Sequence, residues 1–380
     1  MEEVTAAAAE SAREGTVAAA VPPKKKRHIN QQKLQDNLWG WAFCVPLIVG
    51  TVLFVYTALV IALILSFGHY TTAQGSVWEY LSKMFSGQAK IDDPFYWYKW
   101  VFCENEWSSS IWAGSQGSHV SWAFPEIGEQ IGTTVNAAGA TLFNTVFYMI
   151  GIPIGMVLSM FFAVCMSRDI KGGNVFRVLY YIPCVASTIA IIYTFKLLFK
   201  YDGLINRMFG SSIPWLKLGE GDSVIEMGAA QGIDPYWSQG IVSKLVIVIM
   251  SIWKGLGGTI ILYVAGLSGV NAATKEAAQI DGANSWSIFW RVTMPDLYPV
   301  IFYNIVTAVI GGMQIYAEPE LFFGSGAGVD LMTAGYVSLI WFRGIREGNA
   351  SLGAAYGMVL AVIILILTLF QFWLDSRNKD

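Results

Sequence analysis

Six long apolar runs, almost free of charged residues, dominate the hydrophobic pattern of this sequence. They cover residues 37–78, 130–167, 178–195, 245–274, 297–317 and 348–374, and Lys254 is the one Asp, Glu, Lys or Arg residue within them. A helix crosses the hydrocarbon of a bilayer with roughly 17 to 25 apolar residues. The pattern therefore predicts an all-α membrane protein with six transmembrane helices, near residues 40–67, 138–166, 178–198, 243–268, 298–318 and 352–374.

The composition supports a membrane protein. Hydrophobic residues make up 54% of the 380 residues and charged residues only 13%, whereas about a quarter of the residues in soluble domains are charged. The four cysteines form no CxxC pair and the three histidines no HExxH pattern, so neither a disulfide framework nor a metal site is predicted. No Gly-Lys pair occurs; a phosphate-binding loop of the G-x-x-x-x-G-K-[ST] type is therefore excluded.

Positive charge in the short flanks predicts the orientation, because cytoplasmic loops retain Lys and Arg. The charges before the first span and after the second are Lys24, Lys25, Lys26, Arg27 and Lys33, and Arg168, Lys171 and Arg177. They outnumber Arg343 and Arg346, which favour the reverse orientation. We therefore expect a multi-pass protein of the plasma or inner membrane with both termini cytoplasmic.

Three segments are predicted along the chain. Residues 1–37 have no apolar run and are expected to be a disordered cytoplasmic segment. Residues 38–137 hold the first span and an aromatic-rich outer loop, and residues 138–380 form the core domain. The basic run 23–27 resembles a nuclear-import patch, but before a membrane span it is better explained by contact with anionic lipid headgroups. No nucleic-acid partner is expected.

A polar hairpin, residues 271–295, separates the fourth and fifth spans. Asn271 or Thr274 can cap a first short helix, with Glu276 in its first turn, and Gly282 can end that helix in a left-handed conformation. Ser285 can cap a second short helix, 286–293, which Pro295 is expected to end or kink.

One face of this hairpin is built from small side chains. Ala277, Ala278 and Ala283 extend no further than a methyl group, so another surface can approach the backbone closely. Glu276 and Ile280 lie one turn apart on one face. The hairpin is predicted to be a docking surface rather than a loop that packs only on its own chain.

These residues match a known family. The run Glu276-Ala277-Ala278-x-x-Asp281-Gly282-Ala283, with Phe289 and Trp290 before Pro295, resembles the EAA loop of permease subunits of ATP-binding cassette importers. Its fuller form is similar to the carbohydrate branch, the relatives of the maltose and glycerol-phosphate permeases. The resemblance implies that 271–295 is a cytoplasmic coupling hairpin for a separate ATPase.

The same resemblance implies the partners. They are a cytoplasmic ATPase dimer that binds ATP and Mg, a second permease subunit that is usually a different chain, an extracytoplasmic solute-binding protein, and membrane lipid. This chain itself is expected to hold no cofactor and to be a transport subunit, not an enzyme. The site residues for ATPase coupling are Glu276, Ala277, Ala278, Asp281, Gly282, Ala283 and Pro295.

Three long segments face outward in this topology, at about 68–137, 197–242 and 319–351. The first contains six tryptophans and is expected to form a small extracytoplasmic cap, because an unfolded loop would expose the rings. The second, with Gly203-Leu204-Ile205-Asn206 and Pro214-Trp215-Leu216, resembles the family's outer loop near the docking face of the solute-binding protein. At residues 324–328 the chain departs from the family's Gly-Gly-Pro, and this leaves the substrate subclass open.

Polar side chains inside the apolar runs are the candidates for a substrate path, since such groups usually face a bundle interior. By resemblance, Trp253 stacks on a sugar ring, Gln314 binds hydroxyl groups, and Tyr316 does either. Lys254 and Gly255 follow Trp253 in the same span, and Glu318 follows the fifth. The alternative is that Trp253 only packs and Lys254 extends to the interface.

The sequence thus predicts the membrane subunit of an ATP-driven sugar importer. The alternatives are an importer of a glycerol-phosphate-like solute, an ion-coupled secondary transporter and a membrane-embedded enzyme. A secondary transporter needs ionisable groups deep in the spans and broken helices in related halves, and neither is evident. An enzyme needs a catalytic constellation at a shared depth, and none is present.

Overall fold

The computed structural model describes residues 31–88, 93–103, 137–167, 173–211, 213, 215–216, 241–323 and 333–377. Within these ranges every regular element is a helix, which confirms the all-α fold class. The predicted disordered segment, through residue 30, and most of the predicted tryptophan-rich cap, 104–136, lie outside the described residues. The predicted segment boundaries after residues 37 and 137 stay predictions.

The helices are numbered in chain order. They are α1 (Gln31–Gly50), α2 (Thr57–Ser66), α3 (Val77–Phe85), α4 (Tyr96–Cys103), α5 (Ala137–Tyr148), α6 (Gly151–Met166), α7 (Gly173–Val185), α8 (Thr188–Leu198), α9 (Leu204–Phe209), α10 (Ser243–Gly269), α11 (Ala272–Ile280), α12 (Ser285–Ile288), α13 (Met294–Met313), α14 (Ala317–Phe323), α15 (Tyr336–Trp341) and α16 (Ala350–Arg377). Wider π-helical turns join α1 to α2 (Thr51–Tyr56), join α12 to α13 (Phe289–Thr293) and extend α15 (Phe342–Arg346).

Five helical stretches of the described chain are long and apolar enough to cross a membrane. They are Trp39–Ser66, Thr141–Met166, Ser243–Gly269, Ser285–Met313 and Ala350–Arg377. The pair α7 and α8 passes the same test when taken together and brings the number to six. Each stretch overlaps a predicted span, so the helical pattern read from the apolar runs is confirmed.

The predicted third span, however, is not one straight helix. Its two halves, Val175–Val185 and Thr188–Leu198, are bent by 98°. Pro183 inside α7 has no N–H for the helical ladder, and Ser187 has an extended ψ of 128°. The run 178–198 is apolar on both sides of the break, so hydropathy alone did not reveal it. The single helix predicted near 178–198 is therefore two helices.

The chain divides into two compact units, Met1–Leu59 and Val60–Asp380. Where it is described, the first unit is a helix with Pro46 inside α1 and the π-helical turn after it. Its side chains from 39 to 59 are exposed, except at the half-buried Gly50, and most are apolar. An apolar helix surface of this kind is what contact with lipid chains requires.

The core of the second unit is arranged around α10, which contacts α5, α6, α7 and α13. Near one end of α10, Ile247 and Met250 are fully buried, and near the other end Ile260 and Tyr263 are. These residues belong to two separate apolar clusters. The middle of α10, between the clusters, is where polar side chains and glycines occur.

Glycine permits the closest helix contacts of this unit. A Cβ atom on Gly257 of α10 would collide with the backbone carbonyl oxygen of Tyr180 in α7. A Cβ atom on Gly151 of α6 would lie 3.2 Å from a methyl carbon of Val248. Small residues at such crossings allow membrane helices to gain packing energy that lipid exposure does not supply.

Gly257→Ala tests the α7–α10 contact. The added methyl group meets backbone that cannot rotate away, so we expect a loss of roughly 1–3 kcal/mol in stability, measured as a lower unfolding temperature of the purified complex in detergent. Gly269→Ala on the same helix is the control, because a methyl group added there would have no neighbouring atom within 4 Å. Equal unfolding temperatures for the two variants would contradict the contact.

Candidate functional site

The hairpin 271–295 folds as two capped helices around a glycine turn. The Asn271 side chain accepts a hydrogen bond of 2.9 Å from the Ala273 N–H and so caps α11. Gly282 has φ +80°, the left-handed conformation predicted for it. The N–H of Ala283 donates to the Ala278 carbonyl over 3.0 Å. Local hydrogen bonds therefore hold the shape of the hairpin.

Two details of this hairpin differ from the prediction. Because Asn271 and not Thr274 is the cap, Glu276 lies beyond the first turn of α11, where the helix dipole acts less strongly on it. The cap of α12 is Asn284, which accepts a 2.8 Å hydrogen bond from the Ser287 N–H, and not Ser285. Both asparagines carry a side-chain carbonyl that reaches an N–H two or three residues on.

Pro295 does not end the second helix, which was one of the two predicted outcomes. The helix runs without a break from Ser285 to Met313. Before the proline, the π-helical turn lets the Met294 N–H donate to the carbonyl of Phe289, five residues earlier. Pro295 follows this turn near the start of α13. The second helix of the hairpin and the fifth span are thus one continuous helix.

The surface of the hairpin is open. Ile280 is 86% exposed and Trp286 70%. Trp286 and Trp290 meet edge to face, with ring centroids 5.6 Å apart. The residues predicted for coupling also lie on this surface: Glu276, Ala277, Asp281, Gly282 and Pro295 are exposed or half-buried, and so are Ala278 and Ala283. Large exposed apolar side chains around small ones form a typical protein-binding surface.

A second candidate site is a cavity of about 340 Å³ between α6, α10 and the end of α13, called the central cavity below. Its walls include the middle of α10 and the segment that follows α13. Such a volume is within the range of small-ligand pockets. Of the predicted substrate-path residues, Gly255 and Gln314 line it, and so does Glu318.

The polar groups of the central cavity are hydroxyls, an amide and a carboxylate. They belong to Tyr148, Ser159, Ser251, Thr259, Gln314 and Glu318. The Ser159 hydroxyl is buried and has no hydrogen-bond partner among the described residues. A buried hydroxyl without a partner carries an unfavourable desolvation cost that a ligand can relieve.

Lys254 lies at the edge of this cavity. Its ammonium donates to the Thr188 hydroxyl over 2.7 Å and is 3.7 Å from a carboxylate oxygen of Glu318. Thr188 is the first residue of α8, directly after the bend. The three side chains thereby link the bent span, α10 and the segment after α13. Lys254 is thus paired within the protein.

Trp253 and Tyr316 lie outside the central cavity. Trp253 borders a different hollow of about 280 Å³, with Phe176 and Tyr180 among its other walls. Its ring is 5.7 Å from that of Phe195. The Tyr316 ring packs against Trp341 at 6.1 Å. Successive residues of a helix face different sides, which is why Trp253 and Gly255 are separated.

Sequence reasoning missed Ser159, Ser251 and Thr259 as cavity residues. The signal was a spacing of four: Gly151, Gly155 and Ser159 on α6, and Ser251, Gly255 and Thr259 on α10. Residues four apart lie on one face of a helix. Two stripes of small residues leave room for a cavity where their helices meet.

The described outer segments contain a compact loop around Asn206. Its amide nitrogen donates to the carbonyls of Tyr201 at 2.9 Å and Ile213 at 2.8 Å. Its oxygen accepts from Ser211 at 3.0 Å and from the Trp215 indole at 2.8 Å. One buried side chain therefore holds the loop that was predicted to face the solute-binding protein.

The described part of the first outer segment packs through aromatic rings. The Trp97 indole donates to the Gly68 carbonyl over 2.7 Å, and the Arg343 guanidinium lies 5.2 Å from the Trp100 ring centroid. Trp78 is exposed, and the other three tryptophans of the predicted cap lie outside the described residues. Some of the aromatic side chains of this segment thus pack in the protein core.

By sequence, this chain is similar to permease subunits of bacterial transporters. The permease AraP of the arabinooligosaccharides transport system of Halalkalibacterium halodurans is 31% identical over 62% of this chain and 70% of that protein. The lactose transport system permease LacF of Rhizobium radiobacter is 28% identical over 62% and 75%. The probable ABC transporter permease YesP of Bacillus subtilis is 25% identical over 94% and 97%.

By structure, the same fold occurs in a bacterial alginate ABC transporter, solved in complex with an alginate pentasaccharide-bound periplasmic protein. The TM-score is 0.59, with 15% identity over 92% of this chain and 98% of that chain.

The family model described as "Binding-protein-dependent transport system inner membrane component" matches residues 151–380. This range includes α6, α10, the hairpin and the walls of the central cavity that lie on α13 and beyond. The resemblance carried by the Glu-Ala-Ala run is thereby confirmed. With more than half of its length matched, this chain belongs to the binding-protein-dependent transport system inner membrane components, the permease subunits of ATP-binding cassette importers.

Proposed function

We propose that this chain is the membrane-spanning subunit of an ATP-driven importer that moves a sugar or oligosaccharide through the central cavity. A separate ATPase drives it through the hairpin 271–295. The observation that carries this proposal is the unbroken helix Ser285–Met313, which starts in the hairpin and ends at the cavity wall. A displacement of the second hairpin helix therefore also displaces that wall of the cavity.

The length of this helix makes it an effective lever. At 1.5 Å per residue, Ser285 and Gly311 are roughly 40 Å apart, and Gly311 and Gly312 line the cavity. The π-helical turn at Phe289–Thr293 and α13 follow one another without a break, although Pro295 and Pro299 donate no ladder bond. A continuous helix transmits a displacement from one end to the other, whereas a break at Pro295 would absorb it.

The partner at the hairpin is an ATPase dimer. Exposed Ile280 and Trp286 supply apolar anchors, and Ala277 leaves space for a partner backbone. The dimer binds ATP and Mg²⁺, because this chain lacks the G-x-x-x-x-G-K-[ST] loop. When ATP closes the dimer, the hairpins of two permease subunits move together and the cavity opens outward. Hydrolysis returns it to the inward-open state.

The cargo is a sugar or oligosaccharide. Hydroxyl, amide and carboxylate groups line the cavity, and sugar hydroxyls can donate to and accept from such groups. The names of LacF and AraP state lactose and arabinooligosaccharides as cargo of those relatives. A solute-binding protein delivers the sugar to the outer loops around Asn206, as the binding-protein dependence of the family supports.

The complete transporter contains a second permease subunit, expected to be a different chain, and sits in the plasma or inner membrane. The positive charges near the start of the chain and between α6 and α7 support a cytoplasmic location for both termini and the hairpin. The apolar surface of Trp39–Ser66 is in contact with lipid.

The bent span α7–α8 favours one other mechanism, since broken helices occur in ion-coupled transporters. Uptake into proteoliposomes distinguishes the two mechanisms. ATP-dependent uptake that persists when an uncoupler dissipates the ion gradients supports the ATP-driven importer. Uptake that is abolished by the uncoupler and does not need ATP would establish the ion-coupled mechanism.

Glu276→Lys in the hairpin should uncouple transport. The carboxylate lies on the proposed ATPase-binding face, and charge reversal there opposes docking. We expect normal membrane insertion but at least about a tenfold loss of ATP-driven uptake. A loss of roughly 1.4 kcal/mol in the free energy of ATPase binding already weakens that binding tenfold. Glu79→Lys, a reversal on exposed α3, should leave uptake unchanged. Equal uptake by both variants would contradict the docking role.

Gly282→Pro tests the turn itself. Proline requires φ near −65°, and Gly282 has φ +80°, so the hairpin cannot keep its shape. We expect the ATPase to co-purify in reduced amount with this variant, while the variant is still inserted in the membrane. Co-purification at the wild-type level together with normal uptake would exclude a role for the turn.

Ser159→Ala should weaken transport without weakening the fold. The hydroxyl has no partner among the described residues, so its removal leaves no protein group unsatisfied. A lost neutral hydrogen bond predicts about a twofold to tenfold rise in the half-saturating sugar concentration, measured as lactose or arabinotriose uptake. Ser268→Ala, where an exposed hydroxyl bonds its own helix, is the control. A lower unfolding temperature with unchanged uptake would make Ser159 structural.

A further inference from the structure

The charge arrangement at the central cavity is asymmetric. Glu318 is among the lining residues and Lys254, 3.7 Å from it, is not. The Lys254 ammonium donates to the Thr188 hydroxyl over 2.7 Å, and Thr188 does not line the cavity either. The Glu318 carboxylate therefore lines the cavity, whereas its counter-charge, the Lys254 ammonium, does not.

This ion pair has a physical reason to persist. Both side chains are mostly buried, with 27% of Lys254 and 20% of Glu318 exposed. A lone charge in such surroundings is strongly unfavourable. Lys254 compensates the charge of Glu318 across 3.7 Å, and the Thr188 hydroxyl accepts a hydrogen bond from the same ammonium. The Glu318 carboxylate is thus held at the cavity edge, with oxygen lone pairs left for a ligand.

No lysine, arginine or histidine lines the central cavity within the described part of the chain. The lining offers acceptors, through Glu318, and groups that both donate and accept, such as Ser159, Ser251 and the Gln314 amide. A carboxylate accepts hydrogen bonds and donates none. Its natural partners in a ligand are hydroxyl donors.

We propose that Glu318, with Lys254 behind it, is a specificity-determining residue that makes the cavity select uncharged saccharides and reject acidic ones. This inference rests on the proposed sugar path and names the class of sugar. A neutral saccharide donates hydroxyl hydrogens to the carboxylate. A uronate or a sugar phosphate brings a second negative charge to a site with no lining cation among the described residues.

Rejection of the wrong ligand is as important here as attraction of the right one. A ligand anion beside Glu318 meets a like charge that Lys254 offsets only in part, and in partly desolvated surroundings like charges repel more strongly than in water. Specificity of this kind arises when an unwanted ligand meets an unpaired or repelling group. Among the relatives by sequence, LacF and AraP are named for neutral sugars, whereas the alginate transporter shares the fold at 15% identity.

The test is direct binding to the purified transporter complex, without the solute-binding protein, which has a selectivity of its own. The probes are maltotriose and arabinotriose as neutral trisaccharides and trigalacturonate as the acidic one, measured by titration calorimetry. For the wild type we expect the neutral probes to bind at least about tenfold more tightly than trigalacturonate, the ratio that roughly 1.4 kcal/mol produces.

Glu318→Gln removes the charge and keeps the shape. It should lower the neutral-to-acidic affinity ratio about tenfold, because the repulsion is lost while an amide still accepts from hydroxyls. The double variant Lys254→Met with Glu318→Gln covers the case in which an unpaired Lys254 disturbs folding, and it should lower the ratio as well. Glu318→Asp, which keeps the charge, should retain the rejection of trigalacturonate.

Glu320→Gln is the matched control. It removes a carboxylate from the same short helix, α14, at a residue that does not line the cavity, and should leave the ratio unchanged. If neutral probes bind but the ratio is the same in wild type and in both Glu318→Gln variants, this inference is wrong and the sugar path stands. If neither probe class binds to the wild type, the sugar path fails together with the inference.

Discussion

The close approach of α6 and α10 through small side chains is the constraint on which the rest of this structure depends. Gly151 lies against Val248 and Ile252, too close for a larger side chain to fit without a shift, and the two stripes of small residues continue along both helices to Ser159 and Thr259. In a bilayer, burial of apolar surface does not by itself drive helices together, so packing of this kind must hold them. The same missing side-chain volume forms the central cavity. The packing of these two helices and the central cavity therefore have one origin.

The second constraint is backbone satisfaction in an apolar environment. Every peptide group of a span needs a partner within the protein, and Pro295 removes one donor from the helix that joins hairpin to cavity. In the π-helical turn before it the Met294 N–H bonds the Phe289 carbonyl, and the helix continues. At the bend between α7 and α8 the ladder is interrupted, and there Thr188 bonds Lys254. Pro295 is thus accommodated within a continuous helix. Pro183, in contrast, lies just before the bend between α7 and α8.

Several parts of the site could be predicted from sequence because they are local. The left-handed Gly282, the cap at Asn271 and the small face of the hairpin follow from residues within one or two turns. The positions of Trp253 and Tyr316 relative to the cavity could not be predicted. They depend on the rotation of α10 about its axis and on the path of the chain after α13, and both are set by packing against other helices.

By itself the sequence determined the helical class, the apolar spans and the fold of the hairpin, because the length of an apolar run and the chemistry of a cap act over short distances. Only the tertiary structure decided that the third span is bent by 98°. It alone placed Ser159, Ser251 and Glu318 around one cavity and put Lys254 behind the carboxylate. Those contacts join residues far apart in the chain, and their partners are selected by packing rather than by neighbouring residues.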